Sequence, residues 1–433
     1  MPLRLVSTAG KAPASDLPTA LFRGLAPDGG LYLPEPLEPM PAATLAALRG
    51  APFGRVALAV ARHLLRDDLP DANLERVVAQ ALDFPIPLVH LADRVYVLEL
   101  FHGPTCAFKD VGARFMARLM ARYHALDDPP LTILVATSGD TGSAVAQAFF
   151  DVPGTRVVVL YPEGKVSPLQ ERQFTTLGGN ITALAVAGTF DDCQRLVKEA
   201  FADPDLRHLR LTSANSINIG RLLPQIFYYF HAWAQLPEAP AELIISVPSG
   251  NFGNLTAGLM AKRMGLPVAR FVAATNVNDV VPRYLATGQF APRPSVATLS
   301  TAMDCGNPSN FARMLSLYRG DVDRMREDVA GHAYTDHQTR AAIARAYADW
   351  DRVLDPHSAV AWLGLARGMA DRAHAAGVFL ATAHPAKFAE VVEPVIGRKV
   401  ELPARLAECL ARERRVVRVG NTLGDIKTLL RRS

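Results

Sequence analysis

Lys109 is the residue of this chain best placed for covalent chemistry. It stands in FHGPTCAFKDVGARFMARLM (101–120), where a turn containing Gly103 and Pro104 feeds an amphipathic helix that starts at the lysine. At the positive end of a helix dipole, partly buried among Phe101, Phe108 and Phe115, an ammonium loses proton affinity. The neutral amine so formed can attack a carbonyl and make a Schiff base. An isolated lysine is more often a surface residue, so its neighbours have to decide the matter.

Two strand–loop–helix segments follow. In LVATSGDTGSAVAQAFF (134–150) the hydroxyls of Thr137, Ser138 and Thr141 and the backbone N–H groups around Gly139 could surround an anion at a helix N-terminus, but Asp140 inside the loop repels one unless it meets a cation. In IISVPSGNFGNLTAGLM (244–260) there is no acid: Gly250 and Gly253 allow close backbone approach, and Asn251 and Asn254 bring amide donors around Phe252. This is the better phosphate cup. Neither loop has the GxGxxG spacing and no Walker A sequence is present, which turns the reading away from nucleotides. Thr382, in FLATAHPAKF (379–388), lies at a strand end before a helix, either as a helix N-cap or at the edge where open α/β sheets collect ligands.

The elements that must hold these residues are legible as alternation. Strand-like runs at 95–100, 131–137, 156–162 and 181–188, then at 242–248, 269–276 and 377–385, lead into loops or helices, the pattern of parallel α/β units. The expected fold is α/β: two open twisted-sheet domains with an N-terminal extension. The segment 1–100 packs on the large domain, 101–210 forms a smaller domain with Lys109 and the SGDTG loop, and 211–433 forms the large domain. A chain of 433 residues, nearly half of them apolar, can build two such cores.

The formal net charge of +4 on nearly balanced acids and bases argues against a nucleic-acid partner. No long apolar run suggests export or a membrane span. Cys106, Cys193, Cys305 and Cys409 are far apart with no CxxC pair, so neither a disulfide framework nor a metal site is expected, and a reducing cytoplasm fits.

Taken in order, HGPTCAFKD, TSGDTGSA, GNFGN and TAHPAKF resemble the motifs of the threonine synthase family. GLAPDGGLYLPE, YPEGKVSPLQERQ (161–173) and NSINIGRLLPQIFYYF (215–230) extend the resemblance over most of the chain. Cys106 stands where leucine is usual and Ala9 where arginine is common; Cys106 reads as a small buried hydrophobe. The resemblance implies fold type II of the pyridoxal 5′-phosphate (PLP) enzymes and conversion of O-phospho-L-homoserine and water into L-threonine and phosphate. It implies that Lys109 carries PLP and acts as base and acid, that Gly250, Asn251, Phe252 and Asn254 bind the cofactor phosphate, and that Thr382 faces the pyridine nitrogen. For the substrate, Ser138, Gly139, Asp140 and Thr141 suit the α-carboxylate, while Asn215, Ser216 and Arg221 suit the phosphate, a guanidinium matching it bidentately.

Arg221 could instead be an ordinary surface arginine. Asp110 has a plain reading as a first-turn helix acid, and His102 and His384 as structural histidines. The rival enzymes are a serine/threonine dehydratase and a PLP phospho-lyase that releases 2-oxobutyrate from the same substrate; a silent paralogue that only binds a phosphorylated metabolite or a protein partner would not need Lys109. A monomer or a homodimer is expected.

Overall fold

The computed structural model describes residues 2–124 and 128–431 and contains two largely parallel sheets flanked by helices, besides a two-stranded antiparallel sheet of Leu5–Ser7 and Tyr32–Pro34. The larger sheet runs, in spatial order, Val329–Ala333, Arg270–Thr275, Leu243–Pro248, Ala376–Ala381, Val95–Glu99 and Leu88–Ala92. Its pairings are parallel except for the terminal hairpin of Leu88–Ala92 with Val95–Glu99. The smaller sheet is parallel throughout, in the order Val417–Val419, Ile181–Val186, Thr155–Pro162, Leu131–Ala136 and Leu211–Ser213. Central strands such as Leu131–Ala136 and Leu243–Pro248 are buried along their whole length, as strands covered by helices on both faces must be.

Both sheets reverse their strand order where the chemistry-bearing loops emerge. Leu243–Pro248 lies between Arg270–Thr275 and Ala376–Ala381, so the loops beginning at Ser249 and Thr382 leave adjacent strands at a point of reversal. Leu131–Ala136 likewise lies between Thr155–Pro162 and Leu211–Ser213, which brings the loops beginning at Thr137 and Ala214 side by side. A crevice opens at such a point because the two connections turn away from each other.

The expected division of the chain needs two corrections. The boundary at 210 falls one strand too early, since Leu211–Ser213 pairs with Leu131–Ala136 in the smaller sheet. The C-terminus does not stay with the 211–433 body: Val417–Val419 pairs with Ile181–Val186, and Ile426 and Leu430 of helix Leu423–Arg431 enter the core around Leu134 and Leu160. Strands of three residues carry too little periodicity to be read. At the other end, the hairpin closing the segment 1–100 is part of the larger sheet. Helix Phe53–Leu65 buries Phe53, Val56, Ala57, Val60 and Ala61, one face at helical spacing, against helix Gln225–Gln235, which is buried from Gln225 to Ala234. No helix among the described residues is long and apolar enough to cross a membrane.

Candidate active site

Lys109 opens helix Lys109–Tyr123, as its sequence context requires. The turn before it is folded by Asp110, which accepts from the Thr105 N–H at 2.9 Å and the Thr105 hydroxyl at 2.6 Å. A Cβ on Gly103 would come within 2.4 Å of the same carboxylate, so only glycine fits there. Asp110 is the first-turn helix acid expected, and it is buried and folds the preceding turn as well. Of the three phenylalanines expected around the amine, Phe108 lies against it with Nζ 4.8 Å from the ring centroid, whereas Phe115 packs on Phe227 and Phe101 on His384. The Phe108 N–H donates to the Thr382 carbonyl at 2.8 Å, which ties the lysine loop to the strand end beside it.

Asp140 meets its cation twice. Its carboxylate lies 3.4 Å from Lys109 Nζ and 2.5 Å from Nζ of Lys387, a wholly buried lysine, and it accepts from the Gln170 amide at 2.9 Å. Lys387 also donates to the Thr105 carbonyl at 2.9 Å. Burial alone would raise the Asp140 pKa, but Lys387, then Lys109 and the hydrogen bonds, outweigh it and hold the carboxyl well below the usual carboxylate range. Lys109 is pulled below the ordinary lysine value, chiefly by burial and further by the charges of Lys387 and Arg221, while Asp140 opposes this. Lys387 and Gln170 are functional candidates that the sequence reading passed over. The available signal was a lysine set among Pro385, Ala386 and Phe388 after a buried strand, together with an acid in a small-residue loop that lacked a counter-charge.

The rest of the SGDTG loop is partly committed to itself. The Thr137 hydroxyl accepts from the N–H groups of Gly139 and Gly142 at 2.9 and 2.8 Å, so it organises the loop instead of facing an anion, contrary to expectation. Gly139 sits at φ 143°, and a Cβ there would strike Gln170. Ser138 stays exposed and Thr141 half-buried.

In the second loop the glycines serve by lacking a side chain. A Cβ on Gly250 would lie 2.6 Å from the Met303 Cα, while the left-handed residue is Phe252, at φ 61° and buried. A phenylalanine in that region stores strain that its surroundings must hold. The Tyr228 and Tyr229 hydroxyls both donate to Asn254 Oδ1 at 2.6 Å, and the Asn254 side-chain N–H2 is buried without a protein partner. The Asn251 side chain is spent on other contacts: it donates to the Ser216 hydroxyl at 2.7 Å and accepts from the Ser309 N–H at 2.5 Å. Its contribution to a cup would be its backbone N–H. A close-approach glycine and an unpartnered buried amide on one loop fit the phosphate of a cofactor.

Asn215 and Ser216 are half-buried, and the Asn215 amide reaches the Ala136 carbonyl at 3.2 Å. Arg221 is not a surface arginine: it is 3% exposed, donates to the Ala214 carbonyl at 2.7 Å, and leaves Nε without a partner. It packs against Gly112, one helical turn beyond Lys109, where a Cβ would lie 3.1 Å from Nε. Burial lowers its pKa to about 10, with Asp110 opposing, so it stays charged at neutral pH. Thr382 is buried at the end of strand Ala376–Ala381, and the N-cap of the turn that follows is His384, not Thr382. Cys106 is a buried free thiol pushed up by burial to about 11, too high to be a nucleophile at neutral pH.

Comparison with known proteins gives a consistent picture. Residues 82–382 match the family model of pyridoxal-phosphate dependent enzymes, residues 4–82 that of the threonine synthase N terminus and residues 358–430 that of the threonine synthase C-terminal region. The threonine synthases of Serratia marcescens and Escherichia coli K12 are each 48% identical to this chain, over 90% of it and 90% of their own length. The crystal structure of PLP-bound threonine synthase from Brucella melitensis superposes with a TM-score of 0.94 at 38% identity, covering 99% of both chains.

The Asp140 cluster makes a stability prediction. Lys387→Met leaves the buried carboxylate with the Gln170 amide but only the longer contact to a cation, Lys109, and should cost about 3–5 kcal/mol in denaturant unfolding. Asp140→Asn added to it should recover part of that loss, whereas strictly additive losses would show that the two side chains are not coupled. Because the folded Asp140 pKa is depressed, its share of stability is complete above the ordinary value of 3.8 and lost only as the pH falls through the folded pKa. Wild-type stability should therefore show no Asp140-linked change between pH 5 and 8.

Proposed function

The chain belongs to the threonine synthase family of PLP-dependent enzymes, and from that premise we propose that this site converts O-phospho-L-homoserine and water into L-threonine and phosphate. The observation that carries the reading is a lysine with a lowered pKa, tied through Phe108 to the strand end at Thr382, with a buried arginine of unpartnered Nε against its helix at Gly112 and, after the strand adjacent to that of Thr382, a loop fit for a cofactor phosphate. The fold is PLP fold type II with an N-terminal extension.

Lys109 holds the cofactor through Nζ, the 250–254 loop holds its phosphate, and Thr382 presents a hydroxyl to the pyridine nitrogen. Bound there, PLP supplies an electron sink for carbanions along the substrate chain. The burial of Thr382 and its separation from the N-cap role support its assignment. Once freed by the substrate amine, Lys109 Nζ moves protons at Cα and Cβ. One amine can act as base and acid because its pKa is drawn toward the working pH and each transfer lies within its reach. Asp140, ionised through Lys387, receives the ammonium form of Lys109 between transfers. It is thus a positioning acid rather than a carboxylate donor, and the substrate carboxylate falls to Ser138, Thr141 and the loop N–H groups near Gly139.

Arg221, with Asn215 and Ser216, takes the substrate phosphate and stabilises the charge that grows as it leaves Cγ. A dehydratase acting on a neutral side chain has no use for this group, which favours the synthase over a 2-oxobutyrate-forming enzyme. Four free thiols support a cytoplasmic placement, and a monomer or homodimer remains the proposed assembly.

The test is product identification with O-phospho-L-homoserine: threonine and phosphate in equal amounts are expected, and 2-oxobutyrate as the main product would overturn the reading. Arg221→Lys keeps the charge but loses the planar fork, and should lower kcat/KM about ten- to a hundred-fold. The slow turnover of unphosphorylated amino acids should be unaffected. Equal losses on both substrates would make Arg221 a purely structural residue.

A further inference from the structure

We propose that Asn310 is a further phosphate-binding residue, its side-chain amide turned by Arg313 toward the cup formed by residues 250–254, with Arg313 as the buried positive charge behind it. The inference rests on the reading of that loop as the cofactor-phosphate site.

Asn310 immediately precedes helix Phe311–Leu317, where an asparagine ordinarily accepts a backbone N–H of the first turn. No such bond forms. Its Oδ1 accepts instead from Arg313 Nη1 at 2.5 Å. A guanidinium has donors and no acceptor, so the amide oxygen must face Arg313 and the N–H2 must face the other way. That N–H2 is buried without a protein partner on a residue of zero exposure, and it lies 3.4 Å from where a Cβ on Gly253 would sit. A buried donor left unpaired is costly, and a native structure keeps one where something else satisfies it. Asn254, on the same loop, shows the same arrangement with two tyrosine hydroxyls on its oxygen.

Arg313 supplies what amides lack. It is wholly buried and donates to the carbonyls of Tyr32, Ser216 and Ile217 at 2.8, 3.1 and 2.6 Å. No carboxylate among the described residues pairs with it. Carbonyl oxygens satisfy its N–H groups but leave its charge uncompensated, and a buried charge of that kind is balanced by an anion bound nearby. A phosphate monoester fits, since its oxygens can take the loop N–H groups together with the amides of Asn254 and Asn310. The cofactor's phosphate is favoured over the substrate's because the free amide abuts Gly253 of the loop itself.

The experiment titrates the full-length chain, stripped of cofactor, with PLP and with pyridoxal, which lacks the phosphate. Asn310→Asp keeps the acceptor for Arg313 and adds an ion pair, so the thermal midpoint should hold or rise. It also replaces the donor with an anionic oxygen, so the Kd for PLP should rise about ten-fold or more while that for pyridoxal stays unchanged. Asn310→Ala should weaken PLP selectively in the same direction. An unchanged Kd for PLP in both variants would overturn the proposal. So would equal weakening of both ligands, which marks a structural residue, or a raised KM for O-phospho-L-homoserine at saturating PLP with the PLP Kd intact, which assigns the amide to the substrate phosphate. Asn254→Ala separates the two levels of the argument. If it spares PLP binding as well, the reading of the loop fails; if it weakens PLP while the Asn310 variants do not, only the present inference fails.

Discussion

A carboxylate buried between two lysines is the interaction on which this site depends. Asp140 follows a strand of the smaller sheet, Lys387 follows a strand of the larger one, and Lys109 comes from the loop after the strand beside it. Removing such charges from water is expensive, and the arrangement is tolerable only when the partners sit at contact distance with their remaining donors satisfied. Gln170 and the Thr105 carbonyl meet that requirement. The two sheets are thereby tied together at the point where the Lys109 amine stands. The same contact decides the amine's chemistry, since burial and Lys387 lower its proton affinity while Asp140 restores part of it.

Around this centre the site carries a surplus of buried positive charge. Arg221 and Arg313 are both interior and both bonded to backbone carbonyls, and neither has a carboxylate partner among the described residues. On the proposed function, a substrate with a carboxylate at one end and a phosphate at the other, together with a phosphorylated cofactor, would supply the missing negative charge. Burial costs stability before any ligand binds and returns affinity when an anion arrives, because attraction is strong where water is excluded. The unpaired amides of Asn254 and Asn310 follow the same logic with dipoles in place of charges.

Much of this was legible in the sequence because local chemistry dictates it. The start of the helix at Lys109, the strands from Leu131, Thr155 and Leu243, and the absence of acid from the GNFGN loop all follow from short stretches of chain. The repulsion expected of Asp140 was also correct as a problem. Its solution was not legible, because Lys387 lies 247 positions away and meets it only after two sheets have formed. Long-range pairing hid Arg313 in the same way, for its partners Tyr32 and Ser216 are distant in sequence. Thr137 and Asn251 show the other side: residue type marked their side chains as donors to a ligand, but Thr137 organises its own loop and the Asn251 side chain bonds to Ser216 and Ser309. The sheet membership of Leu211–Ser213 and Val417–Val419 escaped because each strand is too short to show a period.

The most direct test of the account is the proton affinity of Lys109 itself. In the cofactor-free protein labelled with 13C at lysine Cε, the Lys109 resonance, assigned by its loss in Lys109→Arg, can be followed against pH in the wild type and in Asp140→Asn. The account predicts titration below the ordinary lysine value of 10.5 in the wild type and a further fall when the carboxylate is neutralised, since Asp140 is the group that raises it. A Lys109 that titrates at the ordinary value and does not move in Asp140→Asn would contradict it.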